Sequence, residues 1–146
     1  MPYVSRLFIK TGIVYLIATF IAGAALLSLG AFGHPAPFIV GIEHGHAGFV
    51  GWLVNTVIGV AYWLLPANRA RFPQTQGRYP ETIARSSFYL LNVGLLLRLF
   101  GEPFMEASGI VRTVVVASAL LQVAGIAAFA WIAWQRVFAP SLRPDI

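Results

Sequence analysis

The chain of 146 residues contains no cysteine. Disulfides, thiolate-bound metals, iron–sulfur clusters and covalently attached c-type haem are therefore all excluded. Charge is also scarce, because only 10% of the residues are Asp, Glu, Lys or Arg whereas 58% are hydrophobic. A soluble domain of this size needs more charge on its surface, so the composition predicts an integral membrane protein.

Long intervals without charged side chains indicate where the chain crosses the membrane. They run over residues 11–42, 44–68 and 113–135, and each reaches the roughly 20 residues that a spanning helix needs. A shorter interval lies between Arg85 and Arg98, whose guanidinium groups can extend to the headgroups. We predict a single all-α domain over residues 1–146, a bundle of four transmembrane helices with spans at about 8–29, 43–65, 83–100 and 109–136.

The basic residues are distributed unevenly along the chain, which carries a net charge of +5. Eight of the ten, including Arg143 in the C-terminal tail, lie near the termini or around the connection between spans two and three, whereas Arg98 and Arg112 fall toward the other side. This pattern favours membrane topology over nucleic-acid binding. The positive-inside rule predicts an inner-membrane protein with both termini in the cytoplasm and its histidines on the periplasmic side. The first apolar stretch is longer than a signal-peptide core, so we expect it to remain as span one.

Two histidines, His44 and His46, stand at the start of the second apolar run. Imidazole is the usual protein ligand for haem iron, copper and zinc, and ionisable groups at the edge of a span are functional candidates. Side chains two residues apart on an α-helix project about 200° from each other. Either the helix has not begun at His44 and both rings converge on one ion, or the rings serve two sites on opposite sides of the helix.

The segment from His44 to Pro66 resembles the tenth transmembrane helix of subunit I in haem–copper oxidases and nitric oxide reductases. It has the same His-any-His entry, a face of small residues and a terminal proline at the same distance. The resemblance covers about 23 residues and rests on His44-Gly45-His46-Ala47-Gly48-Phe49-Val50-Gly51-Trp52, then Gly59, Trp63 and Pro66. It implies haem b as the cofactor, with His44 as the axial ligand of a high-spin haem and His46 as a ligand of a low-spin haem.

The resemblance also implies an assembly. Subunit I of that family has twelve helices in three arcs of four, so a four-helix chain is the size of one arc. A homotrimer is implied in preference to a dimer, with ligation completed between copies, for instance by His46 of one chain with His44 or His34 of the next. Arg98 and Arg112 are candidate propionate contacts, although Arg98 can equally pair with Glu102. The implied role is redox chemistry or the handling of nitric oxide or oxygen. If there is turnover, the protein would be an oxidoreductase that receives electrons from a donor protein or quinol.

A competing hypothesis needs no porphyrin. Imidazole, carboxylate and thioether groups suited to copper or zinc are expected together on the periplasmic side. They are Glu43, His44, His46, Glu102, Met105 and Glu106, with His34 as a further candidate. This set predicts a non-haem metal-binding membrane protein without enzymatic turnover.

Overall fold

The computed structural model describes residues 1–137 and contains four long helices. These are α1 (Tyr3–Ala31), α2 (Phe38–Leu64), α3 (Glu81–Gly101) and α4 (Gly109–Val137). Each is long and apolar enough to cross a membrane, which confirms the predicted all-α arrangement of four candidate spans. Arg143 and the rest of the C-terminal tail lie outside the described residues.

Helix α2 begins at Phe38, five residues before the predicted start near residue 43. Pro37 precedes its first turn, where the missing N–H of a proline is no loss. Between α1 and α2 the chain reverses through Gly33, whose φ of 80° is accessible chiefly to glycine. This turn lets the His34 N–H donate to the Leu29 carbonyl at 2.9 Å, closing the end of α1.

Successive helices run antiparallel, so the bundle has two distinct ends. One carries the turn over residues 32–37 and the connection over 102–108, and we call it the histidine end. The other carries the longer connection over residues 65–80, and we call it the loop end. Contacts along α2 fix this order, since its first half meets the end of α1 and its last half meets the start of α1.

Glycines allow α1 and α2 to approach closely. A Cβ atom added at Gly51 would lie 2.5 Å from the Tyr15 ring, and one added at Gly59 would lie 2.7 Å from Ile9. Small residues are the usual means by which helices associate in lipid, where little hydrophobic force acts between them. Helices α3 and α4 also approach closely at a glycine, since a Cβ at Gly125 would lie 2.7 Å from the Leu91 backbone nitrogen.

The main hydrophobic cluster lies toward the loop end. Phe8 packs edge-on against Phe88 with ring centroids 5.0 Å apart, and Tyr62 lies 4.8 Å from Tyr79. The Tyr62 hydroxyl shares a buried hydrogen bond of 3.1 Å with the Ser87 hydroxyl. Residues from α1, α2, α3 and the 65–80 connection therefore form one packed aromatic layer.

Arg136, near the end of α4, is almost fully buried. Its guanidinium donates to the carbonyls of Tyr62 and Pro66, each at 3.0 Å, and to that of Leu65. The last carbonyls of an α-helix have no partner within the helix, and Arg136 supplies donors to this region at the end of α2. From the sequence this residue was interpreted only as one of the charges that set topology, but the structure gives it a packing role as well.

Candidate metal centre

Three side chains suited to metal binding meet at the histidine end. They are Glu43 and His46 from α2 and Glu102, which directly follows α3. Each offers one ligand atom, and these atoms all lie within 4.8 Å of one another. Glu43 and His46 are three residues apart and so share one face of α2, and the antiparallel packing brings the end of α3 to that face.

The Glu43 carboxylate is buried, with only 6% of the residue exposed. Its Oε1 atom lies 3.4 Å from His46 Nδ1, yet neither carboxylate oxygen receives a hydrogen bond of good geometry from the described residues. The Nδ1 atom of His46 is likewise enclosed without a hydrogen-bond partner. Leaving such groups unsatisfied costs free energy, and a bound cation would offset that cost.

Arg98 orients the third member of the group. Its Nε atom donates to Glu102 Oε2 at 2.7 Å, and both side chains are partly buried. Of the two roles considered for Arg98, the structure therefore contains the pair with Glu102. A hydrogen bond of this kind fixes a carboxylate in the orientation that a ligand needs, and it leaves Oε1 of Glu102 for a further contact.

His44 lies on a different side of α2 from His46. A Cβ atom added at Gly23 in α1 would lie 3.1 Å from His44 Cε1 and 3.5 Å from Nε2, so this imidazole faces α1. Helix α2 is regular from Phe38 to His46. The two rings therefore diverge, as expected for residues two apart on a helix, and they do not converge on one ion.

A π-helical segment, Ala47–Val54, follows His46 directly. His46 and Asn55 are nine residues apart, which is about two and a half turns of regular α-helix and would put them on opposite sides. Both nevertheless face α3, because Asn92 Nδ2 donates to Asn55 Oδ1 at 2.9 Å. The wider π turns account for this alignment. Such segments occur frequently at functional sites, and no feature of the sequence indicated this one.

The remaining predicted site residues are not members of this group. His34 is exposed in the turn after α1, and Arg112 is exposed in the first turn of α4. Met105 and Glu106 are exposed in the connection that follows the short 3-10 helix Glu102–Phe104. Within residues 1–137 the structure groups only Glu43, His46 and Glu102 at metal-binding separations.

We compared the chain with protein-family models, with curated proteins and with solved structures, and found no match in any of the three.

Proposed function

We propose that the protein is a multi-pass membrane protein that binds a divalent transition-metal ion at its histidine end, with Glu43, His46 and Glu102 as ligands. One observation carries this proposal: two carboxylates and an imidazole from two helices have their ligand atoms within 4.8 Å of one another. Ligands 2.0–2.2 Å from a tetrahedral ion are about 3.4 Å apart. Small side-chain movements would therefore bring the group to bonding distance.

The ligand types favour Zn²⁺ or Cu²⁺. Imidazole with carboxylate suits these ions, and Cu²⁺ binds most tightly among the divalent first-row metals. Cu⁺ prefers thiolate and thioether ligands, but the chain has no cysteine and Met105 is exposed outside the group. The ion pair with Arg98 supports the site further by orienting Glu102.

The positive-inside rule supports placing this centre on the periplasmic side of the inner membrane. Among the described residues, seven basic side chains lie toward the loop end: Arg6, Lys10, Arg69, Arg71, Arg78, Arg85 and Arg136. Only Arg98 and Arg112 lie toward the histidine end. With this orientation both termini are cytoplasmic, and the proposed site meets ions supplied from outside the cell membrane.

Metal content of the purified protein tests the proposal. The chain is prepared in detergent without a polyhistidine tag, and bound zinc, copper, manganese and iron are measured by mass spectrometry after addition and removal of excess ion. We expect about one equivalent per chain, lost in His46→Ala, Glu43→Gln and Glu102→Gln. His34→Ala and Glu106→Gln change the same residue types at exposed positions and should retain the ion. Unchanged binding in His46→Ala would refute the site.

Haem b is a second candidate, favoured by the divergence of the two imidazoles. His44 and His46 face different helices, and in each ring it is Nδ1 that is enclosed. The two imidazoles therefore lie on different sides of α2, which is the arrangement that the resemblance to the oxidases implies. Ligation would be completed by neighbouring copies in a trimer built from three such four-helix arcs, with electrons from a donor protein or quinol and Arg112 near a propionate.

Absorption spectra separate the two candidates. A haem protein gives a Soret band that is lost in both His44→Ala and His46→Ala, but retained in Glu43→Gln and Glu102→Gln. The metal centre gives no Soret band and depends on both carboxylates, whereas His44→Ala leaves it intact. A colourless protein that contains stoichiometric zinc or copper would exclude the haem candidate.

A further inference from the structure

A groove of about 650 Å³ opens at the loop end between the 65–80 connection and α4. Its lining side chains are Asn68, Arg71, Ala130, Trp131, Trp134 and Gln135. None of them is acidic, and one is a permanent cation. We propose that this groove binds an anionic phospholipid, with the lipid phosphate on Arg71 and an acyl chain along the tryptophans.

Arg71 is held in place by the end of α4. Its Nε atom donates to the Gln135 side-chain carbonyl, and its backbone N–H donates to Asn68 Oδ1 at 3.1 Å. Asn68 in turn donates through Nδ2 to the Gln135 backbone carbonyl at 2.6 Å. The terminal amino groups of Arg71 make no hydrogen bond among the described residues and remain for an anion. A planar guanidinium held in this way is suited to a phosphate group.

The polar and apolar lining residues of the groove lie at different depths, in the same order as the headgroup and acyl chains of a phospholipid. The polar members of the groove, Asn68, Arg71 and Gln135, lie at the end of the bundle. Ala130 and Trp131 lie four to five residues earlier on α4, about 6 to 7.5 Å deeper at 1.5 Å per residue. Trp131 and Trp134 are 45% and 69% exposed, and amphipathic indole rings concentrate at the headgroup level of membranes. A free phosphate would use only the outer part of this groove, whereas a lipid uses both parts.

Native mass spectrometry of the full chain released from detergent micelles measures the binding. The probes are dioleoyl phosphatidylglycerol and, as a control that lacks the phosphate, dioleoylglycerol. We expect Arg71→Gln to weaken phosphatidylglycerol binding roughly tenfold, since a charge-assisted hydrogen bond to phosphate contributes about this much. Dioleoylglycerol binding should not change. Arg69→Gln removes an exposed cation two residues away that does not line the groove. Arg69 makes no direct contact with the bound phosphate, so its loss should change binding less than about twofold through solvent-screened attraction.

A second variant separates a loss of lipid binding from a folding defect in Arg71→Gln. Gln135→Leu keeps the Arg71 charge but removes the acceptor that orients it, so phosphatidylglycerol binding should weaken by less than in Arg71→Gln. Equal losses in Arg71→Gln and Arg69→Gln would indicate general surface attraction and would overturn the proposal. Displacement of the lipid by an equimolar amount of inorganic phosphate would also overturn it, because the acyl contacts would then add nothing to the affinity.

Discussion

Replacing Arg136 by methionine should destabilise the fold more than any other arginine replacement at the loop end. Residue Arg136 is 2% exposed, and its guanidinium donates to three carbonyls around the end of α2. It also lies 5.7 Å from the centre of the Tyr79 ring. Methionine keeps much of the apolar length of the side chain, so the change isolates the polar contacts.

The expected loss is about 3 kcal/mol. A hydrogen bond from a charged donor contributes about 1.5 to 3 kcal/mol, but the Leu65 and Pro66 carbonyls lie beyond the end of α2, where water can replace the donor. The Tyr62 carbonyl belongs to a residue that is 1% exposed and would stay unsatisfied. The contact with Tyr79 adds about 0.5 to 1 kcal/mol, and release of the buried charge from desolvation offsets part of the total.

Reversible unfolding in mixed micelles with increasing dodecyl sulfate, followed by far-ultraviolet circular dichroism, measures this loss. A change of 3 kcal/mol is about a 100-fold change in the unfolding equilibrium. Arg85→Met is the comparison, because its exposed guanidinium pairs with Glu81 on its own helix and lies 5.3 Å from the centre of the Tyr3 ring. Both contacts are solvent-exposed, so we expect a much smaller loss than in Arg136→Met. Arg136→Lys retains a charge but cannot reach three carbonyls, so its stability should fall between wild type and Arg136→Met. The reasoning is refuted if Arg136→Met loses less than about 1 kcal/mol.

Two further changes test other contacts. Gly125→Ala should lower the unfolding free energy by about 2 kcal/mol through overpacking, because its Cβ would lie 2.7 Å from the Leu91 backbone nitrogen. The control is Gly109→Ala, whose Cβ meets no atom within 4 Å, so its stability should be near that of the wild type. Equal losses in the two variants would contradict close packing of α3 against α4. Burial raises the pKa of Tyr79 above 10.0, so the folded state holds its proton more tightly than the unfolded state and stability should fall as the pH rises above 10. Tyr79→Phe should show a shallower alkaline decline, and an unchanged decline would argue against a buried phenol.

The spans could be predicted from the sequence because lipid requires apolar side chains over a whole helix length, and the charge-free intervals record that requirement directly. The start of α2 could not be fixed, since the stretch between Pro37 and Glu43 is uncharged whether it is a turn or a helix. For Arg136 the difficulty was different. A basic residue at the end of a span is also expected from topology alone, and only the folded chain brings it to carbonyls about 70 residues earlier.

For the candidate site, the types of ligand residue could be predicted from the sequence, but which of those residues meet in the folded chain could not. Glu43, His46 and Glu102 were expected on the same side of the membrane, together with four other potential ligands. Which of them meet depends on the register between α2 and α3. That register reflects the amide pair of Asn55 and Asn92 and the π turns before it. Helical periodicity assumes 3.6 residues per turn throughout, so it could not anticipate that His46 and Asn55 share a face.

The two ends of the bundle satisfy their buried polar groups to different degrees. At the loop end each guanidinium nitrogen of Arg136 donates to a carbonyl and the Tyr62 hydroxyl is paired with Ser87, although the buried Ser5 hydroxyl lacks a partner of good geometry. At the histidine end, both carboxylate oxygens of Glu43 and the Nδ1 atoms of His44 and His46 lack hydrogen bonds of good geometry among the described residues. Natural proteins break the rule of satisfied polar groups mainly at functional sites and compensate elsewhere. Because the polar atoms of Glu43 and His46 contribute few hydrogen bonds to the fold, changes to either residue should alter ligand binding far more than they alter folding.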